Sequence, residues 1–225
     1  MATTDELPPA VPAATVVVVR DGRPGIEVLL LKRSEVGAFA GMWVFPGGRV
    51  DPTDPGEDEL ARARHAAVRE AAEEVALAVT HESLVTWAHW TPPAITPRRF
   101  STWFFLAPWT GESIAVDGHE IVDHAWVRPT AALEGGLPIA PPTYVTLHQL
   151  AEFTDVAALA AGPRHGIEHF VTRPARHGED TFLLWHGDAG YDTGDAGSPG
   201  ARHRATLVGM RVSRYERTHH DPPEQ

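Results

Sequence analysis

Cysteine is absent from this 225-residue chain, which excludes disulfides and thiolate-bound metals. Lysine is almost absent as well, with Lys32 standing alone. A bound phosphate therefore has to be gripped by arginine, by backbone N–H groups or by a metal ion. Positive charge is in deficit overall: 19 Lys and Arg face 30 Asp and Glu, for a formal net charge of −11. That balance argues against a nucleic-acid backbone or an anionic membrane as partner. No apolar run approaches the roughly 20 residues of a membrane span. The opening MATTDELPPAVPAA is acidic and proline-rich, without the basic start and apolar core of a signal peptide. A cytoplasmic enzyme or binding module acting on a small molecule is the expectation, its assembly open between monomer and homodimer.

What is present is an ordinary globular composition, 43% apolar, in a chain long enough to bury a proper core. The expected organisation is one domain over 14–215, with flexible tails at 1–13 and 216–225. β-branched and apolar runs predict strands over 14–20, 26–33, 42–45, 84–90, 98–108 and 121–127, the 98–108 strand being central. A short helix is expected near 130–134, and apolar spacing predicts a longer one over 144–161. Two further runs, 181–185 and 205–213, read as a terminal hairpin joined by a mobile connection, 186–204, rich in Gly and Asp. Strands and helices alternate without regular βαβ spacing, so the pattern is mixed α/β.

The chemistry concentrates in Gly47–Ala76, which reads GGRVDPTDPGEDELARARHAAVREAAEEVA. A helix beginning near 57–59 places Glu70, Glu73 and Glu74 at i, i+3 and i+4, on one face. Leu60, Val68, Ala71 and Val75 form a separate apolar arc. An acidic triplet by itself is commonly a solvated helix face. Here Arg69 lies inside the cluster, able to hold a carboxylate in a forked ion pair, and a Phe45-Pro46-Gly47-Gly48 turn feeds the helix. Crowded carboxylates raise one another's pKa unless a cation neutralises them. Hard oxygen donors without nearby cysteine suit Mg²⁺ or Mn²⁺ rather than zinc.

The segment 48–77 resembles the Nudix box, G-x5-E-x7-R-E-U-x-E-E-x-G-U, with U a bulky apolar residue. Gly48 matches the opening glycine, and Arg69-Glu70-Ala71-Ala72-Glu73-Glu74-Val75-Ala76-Leu77 matches the second half. The chain departs from the pattern twice. Twenty residues, 49–68, separate Gly48 from Arg69 where the pattern has thirteen, and Ala76 replaces the last glycine. Counting forward from Gly48 puts the first acid on Asp54, counting back from Arg69 puts it on Ala61, and Glu57, Asp58 and Glu59 also compete. Leu29-Leu30-Leu31-Lys32-Arg33-Ser34, Gly41, the FPGG turn and the inserted box are similar to the CoA diphosphatase branch of that family.

The resemblance implies an α/β/α sandwich around a mixed β-sheet, with the box forming a loop–helix–loop. It implies a Mg²⁺-dependent (or Mn²⁺-dependent) hydrolase of a nucleoside diphosphate linked to another moiety, CoA or acyl-CoA being the branch's substrate. Metal ligation falls on Glu70, Glu73 and Glu74, and catalytic roles on Glu70, Glu73, Glu120 and Arg69. Glu120 is included because it stands six residues before Trp126. Substrate contacts are expected from Arg33, Gly47, Gly48, Arg98 and Arg99, with one of the last two facing the site. An ADP-ribose or dinucleotide pyrophosphatase, and a non-catalytic nucleotide-binding module, remain the alternatives.

Overall fold

A computed structural model describes residues 9–37, 39–94, 96, 99–116, 118–163, 166–209 and 211–218. The run of four valines explains the centre of the fold. In β1 (Val11–Asp21), Val16 and Val18 pack on one side of a sheet and Val17 and Val19 on the other, none more than 1% exposed. A strand apolar on both faces belongs in the middle of a layered structure. The strands that follow are β2 (Ile26–Arg33), β3 (Trp43–Val44), β4 (Gly47–Arg49), β5 (Val85–Thr91), β6 (Phe100–Pro108), β7 (Ile121–Val127) and β8 (Glu168–Val171). They form one mixed sheet in the order β3-β2-β1-β6-β5-β8, with β4 paired to β1 and β7 to β2. The β1–β6 and β5–β8 pairs are parallel and the others antiparallel.

Helix α1 (Glu59–Val75) covers one face, and α2 (Pro129–Glu134) and α3 (Pro141–Leu150) lie on the other. The layered α/β/α arrangement around a mixed sheet is therefore the one expected. The buried stripe of α1 is mostly alanine: Ala63, Ala66, Ala67 and Ala71, closed by Val75. Leu60 and Val68, expected in the core, are only partly buried. Small side chains let the helix approach the sheet closely, which matters for the site below.

Several boundaries differ from expectation. Residues 11–13, expected in the N-terminal tail, belong to β1 and are held by β6. The helix expected over 144–161 stops at Leu150 and resumes as α4 (Val156–Leu159). The interruption comes from Asp155, whose side chain accepts the Ala158 N–H at 2.8 Å and starts a new helix. The expected 205–213 strand is two, β11 (His203–Val208) and β12 (Arg211–Arg217), reversed around Gly209 at φ +61°. Together with β9 (Arg173–His177) and β10 (Asp180–Leu184) they make a four-stranded antiparallel sheet, order β12-β11-β10-β9. Residues 216 and 217, expected in the C-terminal tail, belong to β12.

The 186–204 connection, expected to be mobile, is tied down. Asp188 is buried and receives Arg204 through Nε at 2.6 Å and Nη2 at 2.5 Å, as well as the N–H groups of Gly190 and His203. Among the described residues no helix is long and apolar enough to cross a membrane.

Candidate active site

The glycine pair and the acidic helix are built against each other. Strand β4 pairs Gly48 with Ala14 and Gly47 with Thr15, directly beneath α1. A Cβ on Gly48 would overlap the Glu70 carboxyl group, and one on Gly47 would overlap the Ala14 carbonyl. The vacated space is what brings Glu70 onto the strand. The Gly47 N–H donates to Glu74 Oε2 at 2.9 Å.

Asp58 caps the helix start, its side chain accepting the Ala61 N–H at 2.7 Å. The other end closes at Ala76 in the left-handed region, φ 57° and ψ 30°, with its N–H bonding back to Ala72 O at 3.1 Å. That conformation favours glycine, which accounts for the glycine that the box pattern has at this position.

Arg69 organises the cluster. Its guanidinium donates to Glu70 Oε1 at 2.8 Å, to Glu73 Oε2 at 3.1 Å and to the Arg49 carbonyl at 2.9 Å. It also forks onto Asp54, at 3.1 Å to Oδ1 and 3.2 Å to Oδ2. Of the four acids left open between 54 and 59, Asp54 is therefore the one that meets Arg69. Asp58 is the helix cap, Glu59 accepts from Trp103 Nε1 at 3.1 Å, and Glu57 is exposed. Burial lifts the Asp54 pKa, but the bonds from Arg69 and the Asp51 N–H outweigh it and hold the carboxyl below its ordinary value. The Asp54 contact in turn raises the pKa of Arg69, which stays charged.

Glu74 is the buried member, 6% exposed. Burial pushes its pKa up to about 7, and the charges of Glu70 and Glu120 add to the rise while Gly47 N–H and Arg33 oppose it. Burial likewise raises Glu70, against the pull of Arg69. Arg33, at the end of β2, pairs closely with the Glu120 carboxylate and lies 3.9 Å from Glu74 Oε1. The Ser34 N–H donates to the Glu120 carbonyl at 2.9 Å, so the start of β7 is pinned beside the cluster. Residues 87 positions apart in sequence thus meet at the helix acids.

Of the other expected substrate residues, only Arg99 is described, and it stands apart. Arg98 lies outside the described residues. Strand β6 begins at Phe100, so Arg99 precedes it, with its carbonyl accepting the Val11 N–H at 2.7 Å. The register Ala14↔Trp103 puts Arg99 four residues, about 13 Å, along the strands from the Gly48 level.

Glu70, Glu73 and Glu74 offer only hard oxygen donors, the set that an oxygen-preferring divalent cation takes. The guanidinium between Glu74 and Glu120 marks a position where this structure demands positive charge. Among the described residues, though, no three acids or histidines converge closely enough to hold an ion as they stand. Glu70 and Glu73 turn to Arg69, and Glu74 turns to Gly47 and Arg33. Glu73, with a side chain 58% exposed, is the one freest to rotate inward.

The layered mixed sheet matches that of a Nudix hydrolase structure and, with the family match that follows, supports a pyrophosphohydrolase acting on phosphoric anhydrides. The NUDIX domain family matches residues 9–147, and the chain belongs to the Nudix family. No curated protein sequence matches it significantly. Among solved structures, a NUDIX hydrolase from Alicyclobacillus acidocaldarius is similar at 26% identity and a TM-score of 0.59, over 71% of this chain and 97% of that one. The MutT NUDIX hydrolase of Burkholderia pseudomallei aligns at 23% identity and TM-score 0.51, over 63% and 98% of the two chains. The NUDIX domain of Shewanella oneidensis NrtR, solved with ADP ribose, shares the fold at 18% identity and TM-score 0.52, over 67% and 92%.

Proposed function

We propose that this protein hydrolyses the P–O–P link of a nucleoside diphosphate derivative with a bound divalent cation, and that CoA or acyl-CoA is its substrate class. The observation that carries the hydrolytic part is the buried Glu74 beside Glu70, with Gly47 N–H, Arg33 and Glu120 around it. Glu70, Glu73 and Glu74 would hold Mg²⁺ or Mn²⁺. Such an ion neutralises phosphate charge and acidifies bound water.

The remaining work falls to the chain. Arg69, anchored by Asp54, keeps Glu70 and Glu73 oriented. Gly47 and Gly48 lack side chains, and the room this leaves is taken by the Ala14 carbonyl and the Glu70 carboxyl, so their part is to seat the helix acids on β4. Glu120, held by Arg33, would take the proton of the attacking water. The water oxygen bonds to phosphorus as the bridging P–O bond breaks, and the proton passes to Glu120. From CoA the products are 3′,5′-ADP and phosphopantetheine.

The CoA assignment rests on Leu29–Ser34, the FPGG turn and the inserted loop before α1, which resemble that branch. It is tested by comparing kcat/KM for CoA, a medium-chain acyl-CoA, ADP-ribose, NADH and a diadenosine polyphosphate, with products identified by mass spectrometry. CoA or its acyl form should be preferred. If ADP-ribose or a dinucleotide leads by more than about tenfold, the CoA assignment fails and the hydrolase assignment stands.

A further inference from the structure

The C-terminal third builds a cleft of its own. It has a volume of about 400 Å³ and opens between the end of α3, the start of β8 and the end of β12. Of its lining residues only Trp87 lies within the stretch 9–147 matched by the family. Glu168, in its wall, is on β8, four strands from β2 in the sheet, or about 19 Å. The cleft also sits on the α3 face, opposite the acidic helix.

The floor of the cleft is a closed polar chain. Trp87 Nε1 donates to Gln149 Oε1 at 2.9 Å, and Gln149 Nε2 donates to Glu168 Oε2 at 2.7 Å. Arg217 forks onto the same carboxylate at 2.8 and 2.6 Å. These groups satisfy one another and fix the wall in place. Glu216 is neutralised by Arg214 at 2.9 Å. Arg202 differs: its Nη1 donates to the carbonyls of Ser198 and Ala201 at 2.8 and 3.5 Å, and no carboxylate among the described residues pairs with it. A half-buried guanidinium held in place by carbonyls, with donors to spare, fits a carboxylate or similar oxyanion. The exposed His148 ring, also in the wall of the cleft, stands edge-on to Tyr215, centroids 5.0 Å apart, giving a planar body an aromatic neighbour. The net charge of −11 on the chain disfavours polyanions.

We propose that this cleft is a second ligand site, separate from the hydrolase centre, for a small aromatic monocarboxylate. The carboxylate pairs with Arg202 and the ring lies along His148.

The test uses the full chain in EDTA, with benzoate, neutral benzamide and AMP as probes in saturation-transfer NMR and calorimetry. Benzoate should bind with a Kd of about 1 mM or below, and benzamide and AMP at least about tenfold more weakly. Arg202→Gln should abolish benzoate binding, Arg202→Lys should keep part of it, and Glu74→Gln should leave it unchanged. Thermal melts of each variant separate loss of the site from loss of fold. If Arg202→Gln melts early, the Arg202→Lys and Glu74→Gln comparisons decide. Absence of saturable benzoate binding, binding that survives Arg202→Gln in a folded chain, equal binding of benzamide, or loss in Glu74→Gln would each overturn the proposal.

Discussion

At the scale of single residues, Asp54 is the most informative. It is 8% exposed and holds Arg69 by two bonds, while Arg69 touches Glu70, Glu73 and the Arg49 carbonyl. Asp54→Asn removes the charge on one side of that fork. Because the Arg69 side chain is 32% exposed, the loss of stability should be about 1–2 kcal/mol, below the range for fully buried pairs. The kcat loss should exceed what the melting shift explains, since Glu70 and Glu73 lose their orienting partner. Unchanged kcat and Tm would remove Asp54 from this role. At Glu120 the expected effect is on rate alone: Glu120→Gln should lower kcat about 10²-fold with KM nearly constant, and a change below about threefold would make it a surface carboxylate.

The residues of the site were legible in unequal measure. Glu70, Glu73 and Glu74 followed from helical spacing, because 3.6-residue periodicity alone puts them on one face. Which acid between 54 and 59 meets Arg69 did not follow, because a turn's path is set by contacts that no periodicity encodes. Arg33 was expected as a substrate contact, and its pairing with Glu120 and Glu74 was not foreseen. That pairing is fixed by the β2–β7 register and the Ser34 N–H bond, both long-range.

At the scale of elements, α1 carries a fault that can be corrected. Ala76 ends the helix at φ 57°, where a Cβ is strained by roughly 1 kcal/mol. Ala76→Gly should raise stability by up to about 1 kcal/mol, less the extra flexibility of an unfolded glycine, measured by urea unfolding. Destabilisation would mean that the cap is not where the strain lies. The strands over 26–33 and 121–127 match their sequence patterns residue for residue, since both are apolar runs flanked by turns. The short β4 was invisible as a strand, because two of its three residues are glycine and only its pairing with β1 makes it one.

At the scale of the whole molecule, the chain joins a Nudix layer structure to a second antiparallel sheet through shared core residues such as Trp185, Leu183 and Phe170. Asp188 helps to hold that second part. Burial raises its pKa, but the bonds from Arg204, His203 and Gly190 prevail and lower it. A carboxyl with a depressed folded pKa adds stability above its unfolded value, about 3.9, and loses it as pH falls through the folded value. The gap in Tm between wild type and Asp188→Asn should therefore be full at pH 7 and shrink below about pH 4. A gap independent of pH would contradict that.

Hydrolysis of a phosphoric anhydride at the acidic face of α1, with a divalent cation, is the proposal on which the other roles depend. Its most direct measurement is turnover of CoA and ADP-ribose by wild type and Glu74→Gln, each with Mg²⁺ and with excess EDTA. Wild type should release a nucleotide product only with Mg²⁺, and folded Glu74→Gln should show a kcat lower by about 10²-fold or more. Undiminished turnover in EDTA, or a wild-type rate in Glu74→Gln, would contradict it.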